Sequence, residues 1–496
     1  MSLSTTASPL PTRNIRKKAA NAVLPAIALS LAMLNGCAVG PDYQMPAMKT
    51  PAKFAEADRA EYTGRDVELN WWKSFGDAQL TALVEQTLAH NYDLQVAQAN
   101  LREARALYLE AGLDLAPAIT SHANYTESKR SMGSMNNRAF VPRELKLYST
   151  GFDAFWEVDF FGRVRRSVEA SSDEVDVQEA SLRDIGISLI AETARNYFEL
   201  RGLQLQLRVA EQNAETQAQT LEITRVKAEN GRGTQLDVAR AQAQLDGTRA
   251  SIPSLSAAIK RTIHRLSVLG GQMPNALSTQ LLLSAPLPGE RGSVAIGSPA
   301  DLLRRRPDIR MAERELAAAT ARIGVATADL FPRVTFVGNI SLEAMTLSGI
   351  GAAGSEAYSV GPRISWPALD LGRIYARIKA ADARAEASLA YYEQTVLNAL
   401  EETENALVSY SEIRKRRNLL ASAAHASEEA HRLAKLRYQE GISDFLTVLD
   451  AESRLRQDQA LLAQSETAMA TALVAVYKAL GGGWESLPVE TPAEGE

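Results

Sequence analysis

The sequence predicts a mainly α-helical chain with a small membrane β part, built from a unit of helix, strand, strand, very long helix and helix that is used twice. Three observations predict it. Two long stretches, 163–228 and 373–438, contain no proline, and both carry a seam of residues spaced alternately four and three apart. Ahead of each lies a pair of segments in which apolar and polar residues alternate with a period of two. The order also recurs: Trp156-Glu157-Val158-Asp159-Phe160-Phe161-Gly162-Arg163 has its counterpart 210 residues later in Trp366-Pro367-Ala368-Leu369-Asp370-Leu371-Gly372-Arg373.

Composition agrees with long helices. Of 496 residues, 46% are hydrophobic but only 6% aromatic, a balance that leans away from compact α/β domains. The net charge of −5 leaves no basic face to recruit nucleic acid, and Arg304 to Arg306 read as a solvated helix face.

Residues 1–36 read as a lipoprotein signal peptide. Arg13, Arg16, Lys17 and Lys18 precede an apolar run from Ala19 to Leu34. That run is shorter and richer in alanine than the roughly 20 apolar residues a spanning helix needs. It ends at Leu34-Asn35-Gly36-Cys37, which looks like a bacterial lipobox with an unusual Asn35. On this reading Cys37 carries covalent lipid. Each buried methylene contributes about 0.8 kcal/mol, so several acyl chains hold a protein firmly at a bilayer. Cys37 is the single cysteine, so an intramolecular disulfide is excluded. Ala38 stands where an aspartate would, by resemblance to bacterial lipoproteins, signal inner-membrane retention.

Residues 37–75, with Pro41, Pro46 and Pro51, read as an acylated N-terminal tether. The first repeat is 76–271. Asp77 is a candidate N-cap, and Leu80, Leu83, Val84 and Leu88 mark a helix to about Gly112. A β-hairpin over 117–158 puts Ile119, Ala123 and Tyr125, then Tyr148, Phe152, Ala154 and Trp156, on one face. The long helix 163–228 breaks at Gly231, and a return helix, 234–269, contains Pro253, which should kink it. A connector, 272–297, is rich in proline, glycine and serine. The second repeat, 298–484, opens on Ser298-Pro299-Ala300-Asp301, a helix start. It continues with a hairpin over 332–367, a long helix over 373–438 and a return helix over 443–480, followed by a tail, 485–496. Pro362 inside the last strand counts against it, because proline removes a ladder donor.

The halves align at the offset of 210 without a gap, pairing Glu192-Thr193 with Glu402-Thr403, Gly231 with Gly441 and Leu236 with Leu446. Before the hairpins the offset is 215, pairing Asp93 with Asp308 and Pro117 with Pro332, so the length change falls in the hairpins. Strands of about ten residues with one apolar face suit a tilted span of a bilayer. Four strands cannot close, and open edges are intolerable in lipid. The barrel must be shared between chains. Helices of about 66 residues rise roughly 100 Å, enough to reach far across a periplasm, with Gly231 and Gly441 at the distal tip.

Several motifs together resemble the TolC-like outer-membrane factors of tripartite efflux pumps, especially their lipoprotein, drug-efflux branch. They are Gly36-Cys37-Ala38-Val39-Gly40-Pro41-Asp42-Tyr43, the Trp71-Trp72 entry, Leu303-Arg304-Arg305-Arg306-Pro307-Asp308-Ile309 and Gly361-Pro362-Arg363-Ile364-Ser365-Trp366-Pro367. The resemblance implies a homotrimer with a 12-stranded β-barrel, four strands per chain, continued by an α-helical coiled-coil barrel. It also implies that the Gly-Pro pair belongs in that strand. The implied function is that of an outer-membrane exit channel, lipid-anchored and extending into the periplasm, which passively conducts small molecules such as drugs and toxic compounds. Its implied partners are a periplasmic adaptor (membrane fusion protein), an inner-membrane transporter of the RND type and outer-membrane lipid. A duct for type I protein secretion, or a non-conducting periplasmic coiled-coil scaffold lipoprotein, are the alternatives.

The same resemblance places the constriction at Leu446 and Asp450, which share a helix face four residues apart, together with Asp444 and Asp237. Three Asp450 side chains near a trimer axis would favour cations. The plainer reading of Asp450 is a solvated helix residue, and that of Asp237 a helix cap or a partner of Arg240. Gly231 and Gly441 match the tips that an adaptor contacts, although a helix C-cap alone also demands glycine. No enzymatic role is expected. The five histidines show no metal-ligand spacing, and no cofactor is called for apart from the lipid on Cys37. Gly349-Ile350-Gly351-Ala352-Ala353-Gly354 has the letters of a dinucleotide fingerprint, yet a strand follows it where a helix should, so it reads as a hairpin loop.

Overall fold

The computed structural model describes residues 38–134, 142–288 and 292–486; the expected signal 1–36, Cys37 and the tail beyond 486 lie outside them. The first repeat runs α1 (Ala78–His90), α2 (Tyr92–Leu113), β1 (Ala118–Lys129), β2 (Glu144–Val158), α3 (Arg163–Glu229) and α4 (Gln235–Leu269). The second runs α5 (Pro299–Arg305), α6 (Pro307–Ala328), β3 (Arg333–Ala344), β4 (Glu356–Ser365), α7 (Leu371–Gln439) and α8 (Phe445–Ala479). The chain is therefore mainly α with a small β part, and the order of elements is the same in both halves.

Packing groups these elements differently from the duplication. Among the described residues, one compact unit comprises 38–45, 103–134, 142–176 and 314–390; the other comprises 46–102, 177–288, 292–313 and 391–486. The first unit holds both hairpins and the second holds both return helices.

Each repeat opens with two helices where one was expected. Asp77 caps α1, its carboxylate accepting from the N–H groups of Gln79 and Leu80 at 2.8 and 3.0 Å. Asn91 then ends α1 with an extended ψ of 133°, and its side-chain oxygen accepts from the N–H groups of Asp93 and Leu94 at 2.8 and 3.3 Å to start α2. In the second repeat Arg306 has ψ 122°, because Pro307 disfavours the helical region for the residue before it. Helix α4 continues through Pro253.

The expected tether is packed. Tyr62–Thr63 pairs in parallel with Val294–Ala295 of the connector, and the Tyr62 hydroxyl donates to the Leu407 carbonyl at 2.6 Å. Trp71, Trp72 and Phe75 are buried, Trp71 stacking on Tyr477 with ring centroids 5.1 Å apart. Burial of aromatic surface outweighs the proline-rich composition over this stretch.

Candidate functional site

The four strands form one antiparallel sheet in the order β1-β2-β3-β4. Its register decides which side chains share a face. Ile119 lies opposite Ala154 and Tyr125 opposite Tyr148; Phe152 lies opposite Ile340 and Trp156 opposite Phe336; Ile340 lies opposite Tyr358 and Val334 opposite Ile364. All four apolar rows therefore fall on one side of the sheet. That side is open: Ile340 is 70% exposed, Val360 76% and Tyr358 82%. So large a contiguous apolar surface calls for an apolar cover. On the other face, Asp153 Oδ1 accepts from Asn339 Nδ2 at 2.8 Å, while Asp153 Oδ2 lies 2.7 Å from His122 Nδ1.

Pro362 fits this sheet for a reason the register makes plain. Glu343 N–H donates to the Ser355 carbonyl at 2.7 Å, and hydrogen-bonded pairs alternate along an antiparallel ladder. Phe336 and Pro362 therefore form a non-bonded pair. The nitrogen that lacks a proton points to the open edge of β4, where the ladder with β3 loses nothing. The loop holding Gly349 to Gly354 joins β3 to β4, as a hairpin loop should.

At the strand-to-helix junctions the duplication holds at atomic detail. Trp156 Nε1 donates to the Leu115 carbonyl at 3.0 Å, and Trp366 Nε1 donates to the Leu330 carbonyl at 3.0 Å. The first junction carries something extra. Val39 N–H donates to the Phe161 carbonyl at 3.1 Å, and the Arg166 guanidinium holds Asp42 at 2.6 Å. The start of the expected tether is fixed there.

At the tips α3 and α7 end alike. Gly231 and Gly441 take φ values of +68° and +73°, and the residues after them, Arg232 and Ile442, donate back to the carbonyls of Lys227 and Arg437 at 2.8 and 2.9 Å. A helix C-cap accounts for both glycines. Asp237 belongs to a capping box with Thr234, its carboxylate accepting from the Thr234 hydroxyl at 2.7 Å, and Arg240 lies 4.0 Å away. Asp444 caps α8, accepting from the N–H and hydroxyl of Thr447 at 3.1 and 2.7 Å; that hydroxyl bond holds its carboxyl below the usual range. Phe445 and Val448 turn into an apolar cluster with Leu221, Leu245 and Tyr438, which leaves Leu446 and Asp450 exposed on the other side of α8. Lys227 ties the two tips together, donating to the Tyr438 carbonyl at 2.6 Å with its ammonium 3.8 Å from the ring centroid. Leu236, exposed like its counterpart Leu446, was available from the duplication but not singled out.

The profile of the outer membrane efflux protein family matches residues 83–272 and 299–482, one stretch on each side of the connector. The chain belongs to that family. It is similar to Nodulation protein T of Rhizobium leguminosarum bv. trifolii, 33% identical over 457 residues that cover 91% of this chain and 96% of that protein. It is also similar to the toluene efflux pump outer membrane protein TtgC of Pseudomonas putida, 30% identical over 482 residues, 95% of this chain and 99% of that one. Among solved structures, the outer-membrane channel OprN matches with a TM-score of 0.84 at 42% identity, over 90% of this chain and all of that one. This efflux-family chain accordingly belongs in the outer membrane, and the exposed apolar face of its sheet is the surface suited to that place.

Proposed function

We propose that three copies of the chain close their sheets into one twelve-stranded barrel and continue it as an α-helical duct, the passive exit channel of a tripartite efflux system. The observation that carries this reading is the sheet: four strands in one register, an exposed apolar face, and two edges, β1 and β4, without a partner strand among the described residues. Lipid on Cys37 would add an anchor. Leu446 and Asp450 line the constriction. Asp444 holds the turn into α8, from which those residues project, and Asp237 holds the corresponding turn into α4, since both are spent on capping bonds. A periplasmic adaptor docks at the Gly231 and Gly441 tips, and an inner-membrane transporter of the RND type drives the flow. The cargo is small molecules. Names among the efflux relatives span toluene and cations, which suits a duct whose selectivity is set by the pump behind it.

Planar-bilayer recording of the purified protein tests the duct. Leu446→Ala with Asp450→Ala should raise the open fraction, and Asp450→Asn alone should lower the preference for cations over anions. Protein that never conducts, even with the double substitution, sinks the reading. Co-purification of the native adaptor and pump tests the partners.

A further inference from the structure

Helix α8 changes character just beyond the apolar cluster at the tips. Val448 is buried in that cluster, and one turn further on Glu452 continues the same buried stripe at 5% exposure. Across from it on α7, His431 is 7% exposed. Both line a cavity of about 520 Å³ whose α3 wall is neutral, formed by Gln212, Asn213 and Thr216. Glu452 Oε1 and His431 Nε2 have no hydrogen-bond partner among the described residues. A buried polar atom left without a partner is costly, and more so when charged.

The charges around Glu452 are few. Lys435 faces it from α7, with Glu428 and Arg432 on the same cavity wall, and Arg456 is its neighbour on α8; among the described residues, none from α4 lines the cavity. Burial pushes the Glu452 carboxyl up to about 7, only partly opposed by Gln217, Lys435 and Arg456. Burial, and then Lys435, push His431 below its ordinary value.

We propose that Glu452 is a protonation-controlled latch: with its proton, α8 stays packed against α3 and α7; without it, α8 loosens. The latch stands on the packing alone, while its consequence for transport rests on the gating reading above, because α8 carries Leu446 and Asp450. The direction follows from linkage. The packed state holds the proton up to about pH 7, whereas a released Glu452 loses it near 4.5, so the packed state is favoured in acid and that advantage is lost as pH rises to about 7. His431 has the opposite sign. Packing lowers its hold on a proton relative to the released side chain, so acid favours loosening through His431. The two act in opposite directions in the native chain, and each should be unmasked by removing the other.

Backbone hydrogen exchange over residues 445–456 of the full-length protein in nanodiscs, corrected for intrinsic exchange rates, reads the latch at pH 5.5 and 7.5. His431→Gln should make loosening rise about twentyfold between those values, given a packed carboxyl at about 7 and a released one near 4.5. Glu452→Gln should reverse the sign, with loosening greater at pH 5.5, and the double variant should be flat. If both single variants keep the native pH response, the latch is wrong. Currents recorded from the same preparations keep the two ideas apart. Absent current with the exchange pattern intact overturns the duct alone, and current with pH-blind exchange in both single variants overturns the latch alone.

Discussion

At the first junction Gly162 takes φ +80°, and a Cβ built on it would lie 2.5 Å from the Ala38 Cβ. At the second, Gly372 sits in the first turn of α7 with open space where its Cβ would be. The two positions are equivalent in the duplication and share the sequence Gly-Arg, yet only the first is packed against the segment that begins at Ala38. The tips diverge in a related way. Glu452 has its counterpart in Gln242, which donates to Asp246 at 2.9 Å on the surface, and Asp450 has its counterpart in Arg240. His431 corresponds to Leu221, a member of the apolar cluster. Duplication preserved the backbone plan, while the first copy received the N-terminal segment and the second received the titratable groups. Equal geometry thus came to serve unequal tasks.

The widest expected difference lies at the junction glycines. Gly162→Ala must place a side chain in the left-handed region and against Ala38 at once, which should destabilise by about 2–3 kcal/mol or release residues 38–43. Gly372→Ala should instead stabilise slightly, by up to about 1 kcal/mol, since alanine is the better helix residue in an open site. Thermal unfolding in detergent, with protease sensitivity of the N-terminal segment as the second readout, checks both. Equal effects at the two sites would remove the asymmetry on which the comparison rests.

What could be read beforehand divides along the same line. The long helices, the hairpins and the duplication were legible because each rests on a local pattern repeated over many residues. The apolar side of the sheet was legible too, since its period-two rows need only the register to align them. The packing of residues 38–75 was not, because it depends on partners hundreds of positions away, such as Leu407 for Tyr62. Asn91 was hidden inside an otherwise helical pattern, where a single side chain capping its own backbone divided α1 from α2. Pro362 needed the parity of the ladder to become an edge residue. At the tips, the resemblance pointed to Asp237 and Asp444, and the geometry gives both of them capping bonds. Glu452 and His431 were invisible among many acids and bases on helices, since burial is a property of the packed helices rather than of the residue.

A middle-sized effect tests whether the tips are alike where the sequence says they are. Gly231→Ala and Gly441→Ala each force alanine into a left-handed turn with no neighbour within 4 Å, so strain is the whole cost, about 1–2 kcal/mol at either site. The two values should agree. A larger loss at Gly441 would mean that the second tip is held by contacts the first lacks, and the same pair assayed for adaptor co-purification would show whether docking distinguishes them.

The smallest effect returns to the junctions. Trp156→Phe and Trp366→Phe keep an aromatic ring but remove the indole N–H that donates at 3.0 Å to Leu115 in one repeat and Leu330 in the other. Trp366 is exposed and Trp156 half-buried at the side of the sheet, so the lost bond should matter by no more than about 1 kcal/mol each. Unlike Gly162 and Gly372, the tryptophans should respond equally, because their carbonyl partners come from within the repeat and not from the N-terminal segment. Thermal unfolding of the two variants side by side checks this. If Trp156→Phe is clearly the more damaging, then the segment held by Arg166 also depends on that indole, and the first junction departs from the second more deeply than Gly162 alone reveals.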